Sequence, residues 1–197
     1  MKIAVLCPGP SLPRFWRPSF EHDLVIGVNT VGWHYHVDWL AFGDLHIREK
    51  LTFQPSKGYI ASPAHPAPAG LSRISPPLQE EKTMLEGPEL SAIAKEQGMT
   101  VCAWTFPNAL AQANRWAGPA GEVHVFGFDC AIVEKDFAGQ QGYHKRKRWL
   151  TELPWVKSQW TSRTMVFSNI SLPVLEWLCG EGDWQAVRDH FKEESPC

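Results

Sequence analysis

Lys2-Ile3-Ala4-Val5-Leu6-Cys7-Pro8-Gly9-Pro10-Ser11-Leu12 decides the fold. An unbroken apolar run of strand length breaks straight into a tight, proline-flanked turn. A strand buried on both faces delivers its loop in this way to the carboxyl edge of a parallel sheet, where α/β proteins place their ligand sites. The loop holds one glycine and no lysine. It is therefore neither a P-loop nor a dinucleotide fingerprint, and any anion it holds is held by other means.

Further apolar runs repeat the pattern. Strands are expected at 2–7, 23–29, 37–43, 58–62, 99–104 and 123–129, all short and rich in β-branched or aromatic residues. Between them, 63–78 carries Pro63, Pro66, Pro68, Pro76 and Pro77 and reads as a long surface loop. Residues 79–98 show a weak helical pattern. The clearest helix is 107–117, with Thr105 as its N-cap and Pro107 in its first turn. Gly118-Pro119 stops it. A helix over about 145–162, interrupted near Pro154, and a helical region at 172–193 complete the chain. Strands alternating with connectors predict an α/β fold: a Rossmann-like three-layer architecture with a mainly parallel sheet and helices on both faces.

A chain of 197 residues that is 44% hydrophobic suits one packed domain, 1–197, with a flexible lid over 131–148. The net charge of −2 and pI of about 6.4 supply no global field for nucleic acid or for a membrane surface. No apolar run reaches the roughly 20 residues that span a bilayer. A strand beginning within two residues of the start argues against a secretory signal and for a cytoplasmic protein. Five cysteines without a CxxC pair read as buried free thiols.

Small or polar residues close every one of the strands. Gly9 permits close backbone approach, and Ser11 offers a hydroxyl and an N–H, either to a ligand or as an ordinary helix cap. Asn29 is either a ligand-binding amide or a turn residue in left-handed geometry. Asp44, with His46 two residues on, serves a metal, acid–base chemistry or a helix cap. Thr105 and Asn108 bracket a helix N-terminus suited to phosphate. Asp129 accepts from ribose hydroxyls or acts as a structural carboxylate. His144, ahead of Lys145-Arg146-Lys147-Arg148, reads as a general base on a basic lid or as the start of a solvated helix.

The segments Gly9-Pro10-Ser11-Leu12, Ile26-Gly27-Val28-Asn29 and Val37-Asp38-Trp39, running on to Gly43-Asp44, resemble the opening of the DUF115/MptE-like proteins. They are also similar to the bacterial family-42 sialyltransferases. Pro107-Asn108 with Ala109, Ala111 and Ala113, followed by Val123 to Asp129, resembles the helix and G-x-D strand of both groups, so the likeness covers roughly residues 1–130. It implies a nucleotide or nucleotide-sugar partner contacted by Gly9, Pro10, Ser11, Asn29, Gly127 and Asp129, with His144 as base and glycosyl transfer to an acceptor as the reaction. The MptE-like side implies instead pyrophosphoryl transfer from ATP, with Asp44 toward a divalent metal such as magnesium or toward substrate. Compact phage-associated proteins of this superfamily are also similar. A non-catalytic nucleotide- or protein-binding module on the same fold is the third expectation.

Overall fold

The opening apolar run is strand β1 (Lys2–Leu6), and among the described residues it lies inside a six-stranded parallel sheet. The computed structural model describes residues 1–18, 21–42, 47, 50–61, 105–129, 136–139 and 146–193. Over these residues β1 leads to helix α1 (Leu12–Phe15), β2 (Leu24–Val28), a 3-10 turn (Asn29–Trp33), β3 (Trp39–Phe42) and β4 (Gly58–Ala61). There follow α2 (Thr105–Ala117), β5 (Glu122–Phe126), α3 (Arg146–Gln159), β6 (Thr164–Phe167), α4 (Leu172–Cys179) and α5 (Trp184–Glu193). The sheet order is β4-β3-β2-β1-β5-β6, and every neighbouring pair is parallel.

Strand pleating divides the continuous apolar runs between two cores. Ile3, Val5, Leu24, Ile26, Val28, Ala41, Ile60, Val123 and Val125 face one side, under α2, α3, α4 and α5. Ala4, Leu6, Leu40, Phe42, Tyr59 and Phe126 face the other, under Leu12 and Trp16 of the α1 segment and Val31 and Trp33 of the 3-10 turn. Helical layers on both faces make this the Rossmann-like three-layer α/β fold. Each strand residue that is wholly buried contributes about 1.5–3 kcal/mol of apolar transfer if it is a Val, Leu, Ile or Phe.

Helix α2 shows how the sequence sets its packing. Phe106, Ala109, Leu110, Ala113 and Ala117 recur at helical spacing, and all are buried in the first core. Gly118, at φ +68, ends the helix in left-handed geometry. Among the described residues no helix is long and apolar enough to cross a membrane.

The structure departs from the sequence reading in four places. Thr105 is the first helical residue rather than a cap outside the helix. Helix α3 runs unbroken through Pro154, held by its buried neighbours Leu153, Trp155 and Val156. The 172–193 region is two helices, parted at Gly180 with φ +86. Strand β6 was not anticipated. The expected loop 63–78, helix 79–98 and strand 99–104 lie outside the described residues.

Candidate functional site at the sheet's switch point

From β1 the chain lays down β2, β3 and β4 to one side, then returns to place β5 on the other. A parallel sheet opens a crevice where its strand order reverses in this way, at the carboxyl ends of the two strands. Here those ends are the loops after β1 and β5, which carry Gly9, Pro10 and Ser11 on one side and Gly127 and Asp129 on the other.

The two loops are fused. The Gly9 N–H donates to the Gly127 carbonyl at 2.9 Å, and the Cys7 N–H to Phe126 O at 2.8 Å. A Cβ on Gly9 would stand 2.1 Å from Gly127 O and 2.5 Å from Asp129 Oδ2. Gly127 sits at φ +69, and a Cβ there would stand 2.3 Å from Cys7 O. Both positions therefore require glycine. Asp129 Oδ2 accepts the Ser11 N–H at 2.8 Å, and Oδ1 accepts the Ser11 hydroxyl and the Asn169 N–H, the latter at 3.2 Å. Ser11 and Asp129 are both buried, and Pro10 is exposed on the loop's rim. Burial and the Asp129 charge push the Cys7 thiol well above its usual range, so it is no nucleophile at neutral pH.

The first turn of α2 reaches the same edge. The Phe106 ring stacks on Phe128, just past β5, with centroids 4.3 Å apart. At the far end of α2, Trp116 packs on Trp39 at the start of β3. The helix thus runs antiparallel to the strands and points its N-terminus, with Thr105 and Asn108, at their carboxyl ends. Asn108 is 5% exposed, and its Oδ1 accepts no hydrogen bond. Gln112, one turn below and 2% exposed, likewise has an unpartnered Oε1. Asn29 follows β2 at φ +51, in left-handed geometry, with its own Oδ1 buried and unpartnered. Buried acceptors of this kind are rare in folded proteins and mark places where a donor is wanted.

Two contributors were missed in the sequence. The Thr30 hydroxyl donates to Asp136 Oδ2 at 2.6 Å, and Asp136 Oδ1 accepts the Ala138 N–H at 2.9 Å. The Phe137 N–H donates to Pro8 O at 3.1 Å, and its ring lies against His34 and Tyr35. Residues 136–139, expected to be flexible, are thus a turn docked on the β1 and β2 loops. Their signal was present: Asp at the first position of a turn with Gly139 at the fourth.

The structure therefore brings Gly9, Ser11, Gly127 and Asp129 into one knot and sets Asn29, Thr105 and Asn108 at the same edge of the sheet. Asp44 and His144, the expected catalytic pair, lie outside the described residues, as does most of the expected lid, 131–135 and 140–145. Arg146, Lys147 and Arg148 begin α3. Among the described residues no three His, Cys, Asp or Glu side chains cluster to hold a metal ion. Set against protein-family models, curated proteins and solved structures, the chain matches none of them.

Proposed function

We propose that this chain binds a nucleotide or nucleotide-sugar at the carboxyl edge of β1, β2 and β5 and transfers its glycosyl group to an acceptor. The observation that carries the binding step is the pair of unpartnered amide oxygens, Asn29 Oδ1 and Asn108 Oδ1, at the switch-point edge. Carbonyl oxygens accept and do not donate. Ribose and sugar hydroxyls and the exocyclic amines of bases supply the donors they lack, whereas fully ionised phosphate oxygens supply none. The N-terminus of α2 beside them is suited to the phosphate itself. In this reading Gly9, Ser11 and Asp129 shape the loop, while Asn29, Thr105 and Asn108 meet the ligand. Glycosyl transfer rests on the resemblance of the early segments and of the G-x-D strand, with His144 or Asp44 as the base. Catalysis would then come from positioning and charge stabilisation rather than from a covalent intermediate.

Calorimetry and thermal-shift measurements with CMP, UDP, GDP, ATP and their sugar conjugates test this, with and without magnesium. One nucleotide class should bind and raise Tm, and its sugar conjugate should be turned over when acceptors are added. Failure of every nucleotide to bind, with and without the metal, would overturn the proposal.

A further inference from the structure

On the α1 side of the sheet, away from the switch-point edge, two histidines form a chain with one carboxylate. His22 Nε2 lies 3.0 Å from His124 Nδ1, and His124 Nε2 lies 3.2 Å from Glu122 Oε2. An ionised carboxylate only accepts, so His124 Nε2 carries a proton toward Glu122. Its Nδ1 is then the acceptor, and His22 donates through Nε2. That leaves His22 Nδ1 as a bare lone pair, and this atom is buried without a partner. In the neutral state both rings are therefore Nε2–H tautomers, and the chain is complete.

The surroundings are aromatic. Trp16 and Phe126 pack on His22 at 5.6 and 5.8 Å, and Phe167 packs on His124 at 5.6 Å. The charged groups acting on His22 are Lys2 from β1 and Glu21 and Asp23 from its own turn, with His124 from β5 beside it. Glu122, on β5, is shared between His124 and Lys2. Burial first, then the neighbouring His124, hold the His22 pKa below its ordinary value.

Acid disrupts this chain in steps. One added proton leaves an N–H at His22 Nδ1 with no acceptor, whichever ring takes the charge. A second places two N–H groups against each other across 3.0 Å, which no hydrogen bond can span. We infer that the His22–His124 pair is an acid-sensitive latch: while it holds at most one proton it pins the turn before β2 to β5, and a second proton parts the rings and frees that turn together with Trp16. Trp16 caps α1, and α1 begins directly after Ser11, so the latch is linked through one short helix to the loop after β1.

The sign follows from linkage. A histidine whose folded pKa is depressed binds fewer protons folded than unfolded, so its contribution to stability is present above about pH 6.5 and falls away as pH drops below it. Thermal unfolding of the wild type and of His22→Phe between pH 7.5 and 5.5 reads this directly. The wild type should lose measurably more Tm than the variant over that span. Equal losses would overturn the latch. Nitrogen-15 NMR of the wild-type rings gives a second reading that does not depend on the variant folding. Two Nε2–H tautomers above pH 7 and a coupled two-step titration support the latch, and two independent single-step titrations overturn it. Hydrogen-exchange protection of the Asp23 amide, which donates to Lys2 O, should fall on acidification in the wild type. Protection that is unchanged between pH 7.5 and 5.5 would show that the turn is not released.

Discussion

Ser11 and Asp129, 118 residues apart in the chain, are joined twice: the Asp129 carboxylate accepts both the N–H and the hydroxyl of Ser11. The bond ties the loop after β1 to the loop after β5 at the point where the sheet's order reverses. Removing the carboxylate leaves two buried donors on Ser11 unsatisfied, while the N–H of the exposed Asn169 turns to water. Asp129→Ala should therefore cost about 2 kcal/mol or more in urea unfolding, at about 1–3 kcal/mol for each orphaned buried group. Ser11→Ala removes only the hydroxyl and should cost about 1–2 kcal/mol. A loss below 1 kcal/mol for Asp129→Ala would show that the tie is dispensable for the fold.

The glycines on either side of that tie should tolerate nothing larger. A methyl on Gly9 would press on backbone, Gly127 O, which cannot swing aside like a side chain. Gly127→Ala adds left-handed strain to a clash with Cys7 O. Each substitution should destabilise by about 2–4 kcal/mol, and each should weaken the β1–β5 contact rather than the remote helices. Amide exchange comparing Gly9 with the amides of α5 checks this. Uniform loss of protection across the molecule would mean the effect is not local.

Asp136 gives the docked turn its anchor. Asp136→Ala removes the acceptor of the Thr30 hydroxyl and of the Ala138 N–H. Among the described residues the turn then keeps the Phe137 N–H to Pro8 O bond, the Gly139 N–H to Asp136 O bond and the ring contacts of Phe137. Local opening should become roughly tenfold more frequent for each 1.4 kcal/mol lost. Chymotrypsin cleavage after Phe137 should accelerate accordingly, with global Tm changed far less. Unaltered cleavage would mean that the aromatic packing alone holds the turn.

Those three relationships differ in how far the sequence foretold them. β1 to β4 emerged within one or two residues of their bounds because parallel strands buried on both faces are continuous apolar runs, while β5 ends three residues before the expected 129, at the left-handed Gly127. The convergence of Ser11, Asn29, Asn108 and Asp129 on one edge follows from parallel topology alone. The partners within that edge do not, because no local pattern ties Ser11 to a carboxylate so distant in sequence. β6 escaped notice for a physical reason: it is a four-residue edge strand whose residues alternate only between half-buried and exposed. Pro154 misled in the other direction, since packing of Leu153, Trp155 and Val156 outweighs the hydrogen bond that proline removes. Thr30 falls just past the expected strand 23–29 and Asp136 within the expected lid, and no local pattern shows the bond between them because it is tertiary.

Asn108 and Asn29 separate binding from stability. A buried acceptor without a partner burdens the folded chain, and replacing it by an apolar group of similar shape relieves the burden. Asn108→Leu should therefore leave stability unchanged or raise it by about 1 kcal/mol while weakening nucleotide binding tenfold or more. Asn29 needs a different replacement, because at φ +51 an alanine would add backbone strain of its own. Asn29→Gly keeps the left-handed geometry, removes the amide, and should weaken binding without loss of Tm. Calorimetric titration of both variants beside their unfolding curves decides the matter. If Asn108→Leu costs 2 kcal/mol or more and binds nucleotide as the wild type does, the amide has a structural partner and the site lies elsewhere on the edge.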